Sequence, residues 1–224
     1  MFVGEVLAAI APTRCLVCRR RAVAPWCESC RLAAPAASHG CLRCADPWAG
    51  HVCPFRDGEV TATLAAWRWE GSARDVIVGA KARNAWAGWH RHGQTLAQVI
   101  TAGGWPVSAI VGVPTVSRVA RQRGLDHGRA LAHATAAALG VPSAAVLRAP
   151  KGREDQVTSR RRLRSFAGQR FALEGEIGGE IVLVDDVLTT GATARAAAQA
   201  LHRGGAQHVR IAVLARGGWI DDKK

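Results

Sequence analysis

At 224 residues the chain is long enough for one well-cored α/β domain and a small module, but too short for two full-sized domains. It carries 30 Lys and Arg against 17 Asp and Glu, a formal charge of +13. That balance favours polyanions, either phosphorylated small molecules or nucleic acid, over acidic-surface partners; the bland alternative is a solubility surface in an Arg- and Ala-rich composition. No run of about 18 apolar residues occurs, so no membrane-spanning helix is expected.

The first ten residues place Phe2, Val6 and Ile10 at helical spacing, which predicts a short amphipathic helix. The segment has no basic leader region, holds Glu5 inside its apolar run and breaks at Pro12, so it does not read as a signal peptide. A cytoplasmic location is the expectation. Clustered cysteines there are metal ligands rather than disulfides.

All seven cysteines lie between Cys15 and Cys53, which divides the chain into a head, residues 1–57, and a second domain, residues 58–224. A shift of 26 residues superposes Cys15 on Cys41, Cys18 on Cys44 and Cys27 on Cys53, so the head is a tandem repeat. A Cys-x-x-Cys turn presents two thiolates to one ion, and two such turns complete the tetrahedron of a structural Zn²⁺. Cys15, Cys18, Cys27 and Cys30 make the first candidate set, and Cys41, Cys44 and Cys53 the second. In the second unit the position matching Cys30 is Arg56, which cannot ligate; His51 or Asp57 is left to substitute, or that site stays weak. An interleaved arrangement, with the first and third pairs sharing one ion, is also open. So short a segment lacks a core of its own, and zinc binding would order it.

Beyond the head, Trp67, Trp69, Trp86 and Trp89 read as core and interdomain packing, with base stacking as the rival. His90 and His92, on a polar stretch without carboxylate or cysteine company, read as solvated. Ala109 to Pro114 reads as a buried strand, followed by Thr115, Arg118, Arg121 and Arg123, candidates for neutralising a diphosphate. Lys151 to Phe171 holds seven basic and two acidic residues. Its run Arg160, Arg161, Arg162 and Arg164 is either a solvated face or a contact for single-stranded nucleic acid.

From Ile181 four apolar residues make a strand buried on both faces, and an Ala-rich helix ends at Gly204 and Gly205. Between them come Asp185 and Asp186 and the turn Thr189-Thr190-Gly191-Ala192-Thr193. A strand end running into a helix start is where open α/β sheets bind ligands, and the helix dipole favours phosphate there. Hydroxyls of Thr189, Thr190 and Thr193 add donors, and Gly191 permits close backbone approach. Adjacent carboxylates suit a ribose diol, with or without Mg²⁺.

Ile181 to Thr193 resembles, at every position, the phosphoribosyl-diphosphate (PRPP) signature of type I phosphoribosyltransferases. The resemblance implies that Asp185 and Asp186 hold the ribose hydroxyls, directly or through Mg²⁺, and that Thr189, Thr190, Gly191, Ala192 and Thr193 wrap the 5′-phosphate. Several purine-salvage members carry a general-base Asp where this chain has Thr189, so a hypoxanthine or guanine acceptor is disfavoured. An amidophosphoribosyltransferase is disfavoured for want of its N-terminal catalytic cysteine. Val113 to His127, with Leu125 in place of the usual Phe, resembles a block of the ComF family. So do Pro12-x-Arg14-Cys15, Trp69-Glu70-Gly71 with Lys81, and Gly205-Ala206-x-x-Val209. Gln156 to Phe171 fits that family least, lacking its Asn. The resemblance implies an α/β type I phosphoribosyltransferase core, mainly a parallel sheet flanked by helices, behind a small zinc-ribbon head. It implies PRPP as ligand and a glycosyltransferase activity, phosphoribosyl transfer to an acceptor. It also implies a link to DNA uptake in competence, through single-stranded DNA or a helicase-like partner. The rival reading is a non-catalytic protein that keeps the pocket and binds DNA or docks a partner.

Overall fold

The computed structural model describes residues 13–22, 26–38, 40–48, 50–82, 86–115, 124–149 and 171–217. The helix expected from Phe2 to Ile10 falls outside them, as do Arg118, Arg121, Arg123, Arg160, Arg161, Arg162 and Arg164.

The sheet grows from the most apolar runs in the sequence. Ile181, Val182, Leu183 and Val184 have no exposed surface, because a strand flanked on both sides and covered on both faces cannot alternate apolar with polar. They lie in β7 (Gly179–Leu188), which pairs in parallel with β4 (Ala109–Gly112) on one side and β8 (Ala206–Arg216) on the other. β8 pairs in parallel with β3 (Ala62–Arg68), giving the order β3-β8-β7-β4. Two-residue pairs flank this sheet: β1 (Thr13–Arg14) with β2 (Arg21–Ala22), and β5 (Leu147–Arg148) with β6 (Ala172–Leu173). The fold is mixed α/β on a parallel four-stranded sheet.

Each face has its own apolar layer. On one face lies α5 (Ala192–Arg203), whose Ala194, Ala197, Ala198 and Leu201 recur at helical spacing and pack against Ile181 and Leu183. On the other lie α2 (Gly71–Ala82), α3 (Trp86–Ala102) and α4 (His127–Leu139), against Val182 and Val184. Asp126 caps α4, accepting the Arg129 N–H, and Gly140 closes it with φ 69°. The first turn of α4 presses onto the end of β4: a Cβ on Gly128 would sit 1.8 Å from the Val113 carbonyl oxygen. Only glycine admits that approach.

The two halves of the repeat take opposite faces. Cys15, Leu16 and Trp26 belong to the layer of α2 and α3, whereas Cys44 and Phe55 belong to that of α5. The chain between them, after α1 (Glu28–Leu32), crosses the outer edge of β3, where Ala36 bridges Trp67 and the Thr63 N–H donates to the Leu42 carbonyl at 2.8 Å. That covering removes an open sheet edge. Among the described residues no helix is long and apolar enough to cross a membrane.

One expectation is corrected. His90 is exposed, but His92 is 1% exposed, ringed by Trp26, Trp67 and Trp89 at 6.2, 6.4 and 5.6 Å between ring centroids. Its surroundings look polar in sequence, yet it falls on the buried stripe of α3 with Trp89, Leu96 and Ile100. Burial pushes its imidazole down to about 4. Trp67 and Trp89 are core residues, as their packing reading expects.

Candidate functional site

β4 stops pairing with β7 at Gly112 opposite Val184, while β8 accompanies β7 on to Leu188. Asp185 and Asp186 therefore stand where β7 has lost one neighbour, at the carboxyl end of the parallel strands. They lie within β7 rather than just past its end, because the β8 pairing prolongs the strand beyond the apolar run. A cavity of about 140 Å³ opens there. Asp185, Asp186, Thr115, Lys81 and His127 supply its polar lining, and Trp89, Val113 and Leu131 its apolar walls.

Lys81, from the last turn of α2, places Nζ 2.6 Å from Asp186 Oδ2. Asp185 Oδ1 accepts the Asp186 N–H at 2.8 Å. Burial, and then the neighbouring Asp186 charge, push the Asp185 carboxyl up to about 8, against the pull of that N–H and of Lys81. The Thr115 N–H donates to Asp126 Oδ1 at 3.1 Å, so the residue that caps α4 also fixes Thr115 at the cavity. His127 stacks on Trp89 at 4.7 Å.

Thr189 and Thr190 follow on the surface, and Gly191, with φ 76°, makes the left-handed step into α5. The Ala192 N–H lies 3.5 Å from Thr190 Oγ1. This turn opens a 12-residue helix whose N-terminal amides and dipole favour an anion. The structure thus brings Asp185, Asp186 and Thr115 onto one cavity and sets Thr189 to Thr193 at the adjoining helix start. Lys81 and His127, named in the sequence only as parts of a resemblance, take their places on this cavity.

Asp185 makes stability pH-dependent. Its carboxyl is raised above the ordinary 3.8, so the native state keeps a proton that the unfolded chain has released, and stability falls as pH rises towards about 8. Asp185→Asn lacks that group. Its melting temperature relative to the wild type should climb between pH 5 and 8 and level off above, as followed by circular dichroism; a difference independent of pH would show that the carboxyl titrates normally.

Both repeat units gather ligands internally, which rules out the interleaved arrangement. Cys15, Cys18, Cys27 and Cys30 form one set and Cys41, Cys44, His51 and Cys53 the other, with the donor atoms of each within 4.8 Å of one another. Zinc–sulfur bonds of about 2.3 Å need sulfurs about 3.8 Å apart. The Cys18–Cys27 and Cys41–Cys53 sulfurs are 3.7 and 3.9 Å apart. His51 fills the slot that Arg56 leaves empty: its Nε2 is 3.1 Å from Cys44 Sγ, and its Nδ1 is 2.7 Å from the Trp48 carbonyl oxygen. A proton on Nδ1 donates to that carbonyl and leaves Nε2 free to ligate. Asp57 pairs instead with Arg43. Burial opposes the Cys15 thiolate, but N–H bonds from Cys27, Cys18 and Val17 outweigh it and bring the thiol down to about 6. Cys30, by burial and then by its bonds to neighbouring sulfurs, is pushed up to about 12. Four sulfurs crowded this closely are a donor set suited to a thiophilic divalent cation. Both sets could hold zinc.

Residues 125–222, which span the acidic pair, the threonine turn and α5, match the family model of the phosphoribosyl transferase domain. That stretch is similar to phosphoribosyl transferase domains. A search of the curated proteins finds no significant match. Among solved structures, a glutamine PRPP amidotransferase from B. subtilis, complexed with ADP and GMP, is similar at 22% identity and TM-score 0.38. The similarity covers 56% of this chain but only 25% of that one, so the chain spans about a quarter of the amidotransferase's length. A hypothetical protein from Neisseria gonorrhoeae with bound ppGpp is similar at 20% identity and TM-score 0.31, over 61% of this chain and 74% of that one. Likenesses at those TM-scores decide nothing about this domain.

Proposed function

We propose that the protein binds PRPP and transfers its phosphoribosyl group to an acceptor, as a ComF-type phosphoribosyltransferase with residues 1–57 as head and 58–224 as transferase-like domain. The observation that carries this reading is the acidic pair at the open end of β7, lining a cavity and leading straight into a threonine turn at a helix start. Asp185 and Asp186 take the ribose hydroxyls, Thr189, Thr190, Gly191, Ala192 and Thr193 the 5′-phosphate, and Thr115, Arg118, Arg121 and Arg123 the diphosphate. Mg²⁺ bound with PRPP would neutralise charge on the departing diphosphate. The bond between C1′ and the diphosphate oxygen breaks through an oxocarbenium-like state, and the acceptor closes the new bond at C1′. Lys81 already offers Asp186 a cation, so this pocket should depend on Mg²⁺ less than one with an unpaired acidic dyad.

A second role is supported by charge. Four arginines fall between 160 and 164 in a chain of +13, a density that suits the backbone of single-stranded DNA and a role in DNA uptake, alone or with a helicase-like partner, in the cytoplasm. Two titrations of the purified protein check both roles. Calorimetry with Mg²⁺-PRPP should show saturable binding, and pyrophosphate should appear once the right acceptor is present. Affinity for a single-stranded oligonucleotide should fall steeply across a salt series. No heat with PRPP would sink the transferase reading; binding without pyrophosphate release from any acceptor would leave a non-catalytic pocket.

A further inference from the structure

We propose that Arg216 is a positioning residue that joins the second cysteine unit to the 5′-phosphate loop, so that metal held by Cys41, Cys44, His51 and Cys53 and PRPP held by the loop bind cooperatively. This rests on reading Thr189 to Thr193 as that loop.

Arg216 is the last residue of β8 and is 5% exposed. Its guanidinium spends its donors in two directions. Towards the cysteine unit, Nε donates to the Cys44 carbonyl at 3.0 Å and Nη2 meets Asp46 Oδ2 at 2.9 Å. Towards the loop, Nη1 donates to the Leu188 and Thr189 carbonyls at 3.1 and 2.8 Å, and also to Gly217. A guanidinium is a rigid planar fork, so fixing one set of its partners fixes the other; lysine, with one ammonium on a flexible stem, cannot span both.

A second contact joins the same two segments without Arg216. Gly191, the left-handed residue of the loop, lies so close to the far end of the cysteine unit that a Cβ on it would sit 2.9 Å from Pro54 Cγ and 3.3 Å from Phe55 Cζ. Phe55 is 2% exposed in the layer under α5. The unit thus reaches the loop at two points, through Arg216 from Cys44 and Asp46 and directly through Pro54 and Phe55. The first unit sits on the other face, with Leu16 against Gly79 of α2. Losing metal from the second unit frees the Cys44 carbonyl and Pro54 to move, and with them the loop. Losing it from the first should leave the loop alone. Coupling of this kind is reciprocal: whatever factor metal adds to PRPP affinity, PRPP adds to metal affinity.

The test measures zinc content and Mg²⁺-PRPP affinity on the full chain for four variants. His51→Ala should lose zinc from the second unit and bind PRPP about tenfold more weakly, and His51→Cys, which restores a fourth ligand, should recover both. Cys18→Ser should lose zinc from the first unit and keep PRPP affinity within about twofold. Arg216→Lys should weaken PRPP binding about tenfold with its zinc retained. In the wild type, saturating PRPP should slow extraction of one zinc by a chelator and leave the other unaffected. A wild type that does not bind PRPP overturns the reading of the loop itself. A wild type that binds it, with His51→Ala equally tight or Cys18→Ser equally impaired, overturns the coupling alone.

Discussion

Above pH 8, where Asp185 has ionised, replacing Asp185 and Asp186 together by Asn is expected to weaken PRPP binding by about 2 to 4 kcal/mol, roughly 30- to 1000-fold, with both carboxylates then accepting charge-assisted bonds from the ribose diol. At neutral pH the two single variants should not share the loss equally. Asp186 forms the ion pair with Lys81 and is largely covered, its side chain 16% exposed, so Asp186→Asn also strands an ammonium against the cavity. Asp185 holds its proton up to about 8, so Asp185→Asn at neutral pH exchanges one neutral acceptor for another and should cost less. The gap between the two should close above pH 8, where the wild-type Asp185 ionises. Calorimetry at pH 7 and pH 9 reads this directly. Wild-type affinity in the double variant would remove the acidic pair from the pocket; equal single losses at pH 7 would remove the asymmetry.

What sequence made legible here is what depends on near neighbours. The apolar run Ile181 to Val184, the threonine turn and the glycines closing α5 form one continuous stretch, and each residue's conformation follows from those beside it. The 26-residue repeat likewise brings its own ligands together, because a Cys-x-x-Cys turn is local geometry. His51 was open alongside Asp57 because sequence does not say which side chain folds back; the bond from its Nδ1 to the Trp48 carbonyl decides it. The residues that escaped are those placed by packing across the fold. The pairing of Lys81 with Asp186 needs α2 to meet β7, and His92 is enclosed by Trp67 of β3 and Trp26 of the head as well as by Trp89 of its own helix. Arg216 closes a strand, and its partner Asp46 lies 170 residues away. Thr115 was legible by type but not by anchor, since Asp126 fixes it through the cap of a helix.

Stripping the metal should be the most damaging treatment of all. Each ligand set is wired into the layer on its own face: Cys15 and Cys44 have no exposed surface and pack with the residues that flank β7. In isolated zinc-finger peptides apparent binding free energies run to about 10–16 kcal/mol, and where the apo form is disordered that energy is folding energy. If even about 5 kcal/mol of it is lost here, the melting temperature should drop by roughly 10–20 °C for a chain of this size. Elemental analysis should find two zinc ions per chain, and prolonged chelation should remove both together with that thermal stability. Cys44→Ser and Cys15→Ser should reproduce most of the loss, because serine cannot supply a thiolate and leaves a hydroxyl in an apolar layer. Cys18→Ser, at an exposed ligand, should lose its ion with a smaller thermal penalty, since no core packing goes with it. Differential scanning calorimetry with and without chelator separates these outcomes, and a metal-free chain that melts at the wild-type temperature would show that the cysteine units fold on packing alone.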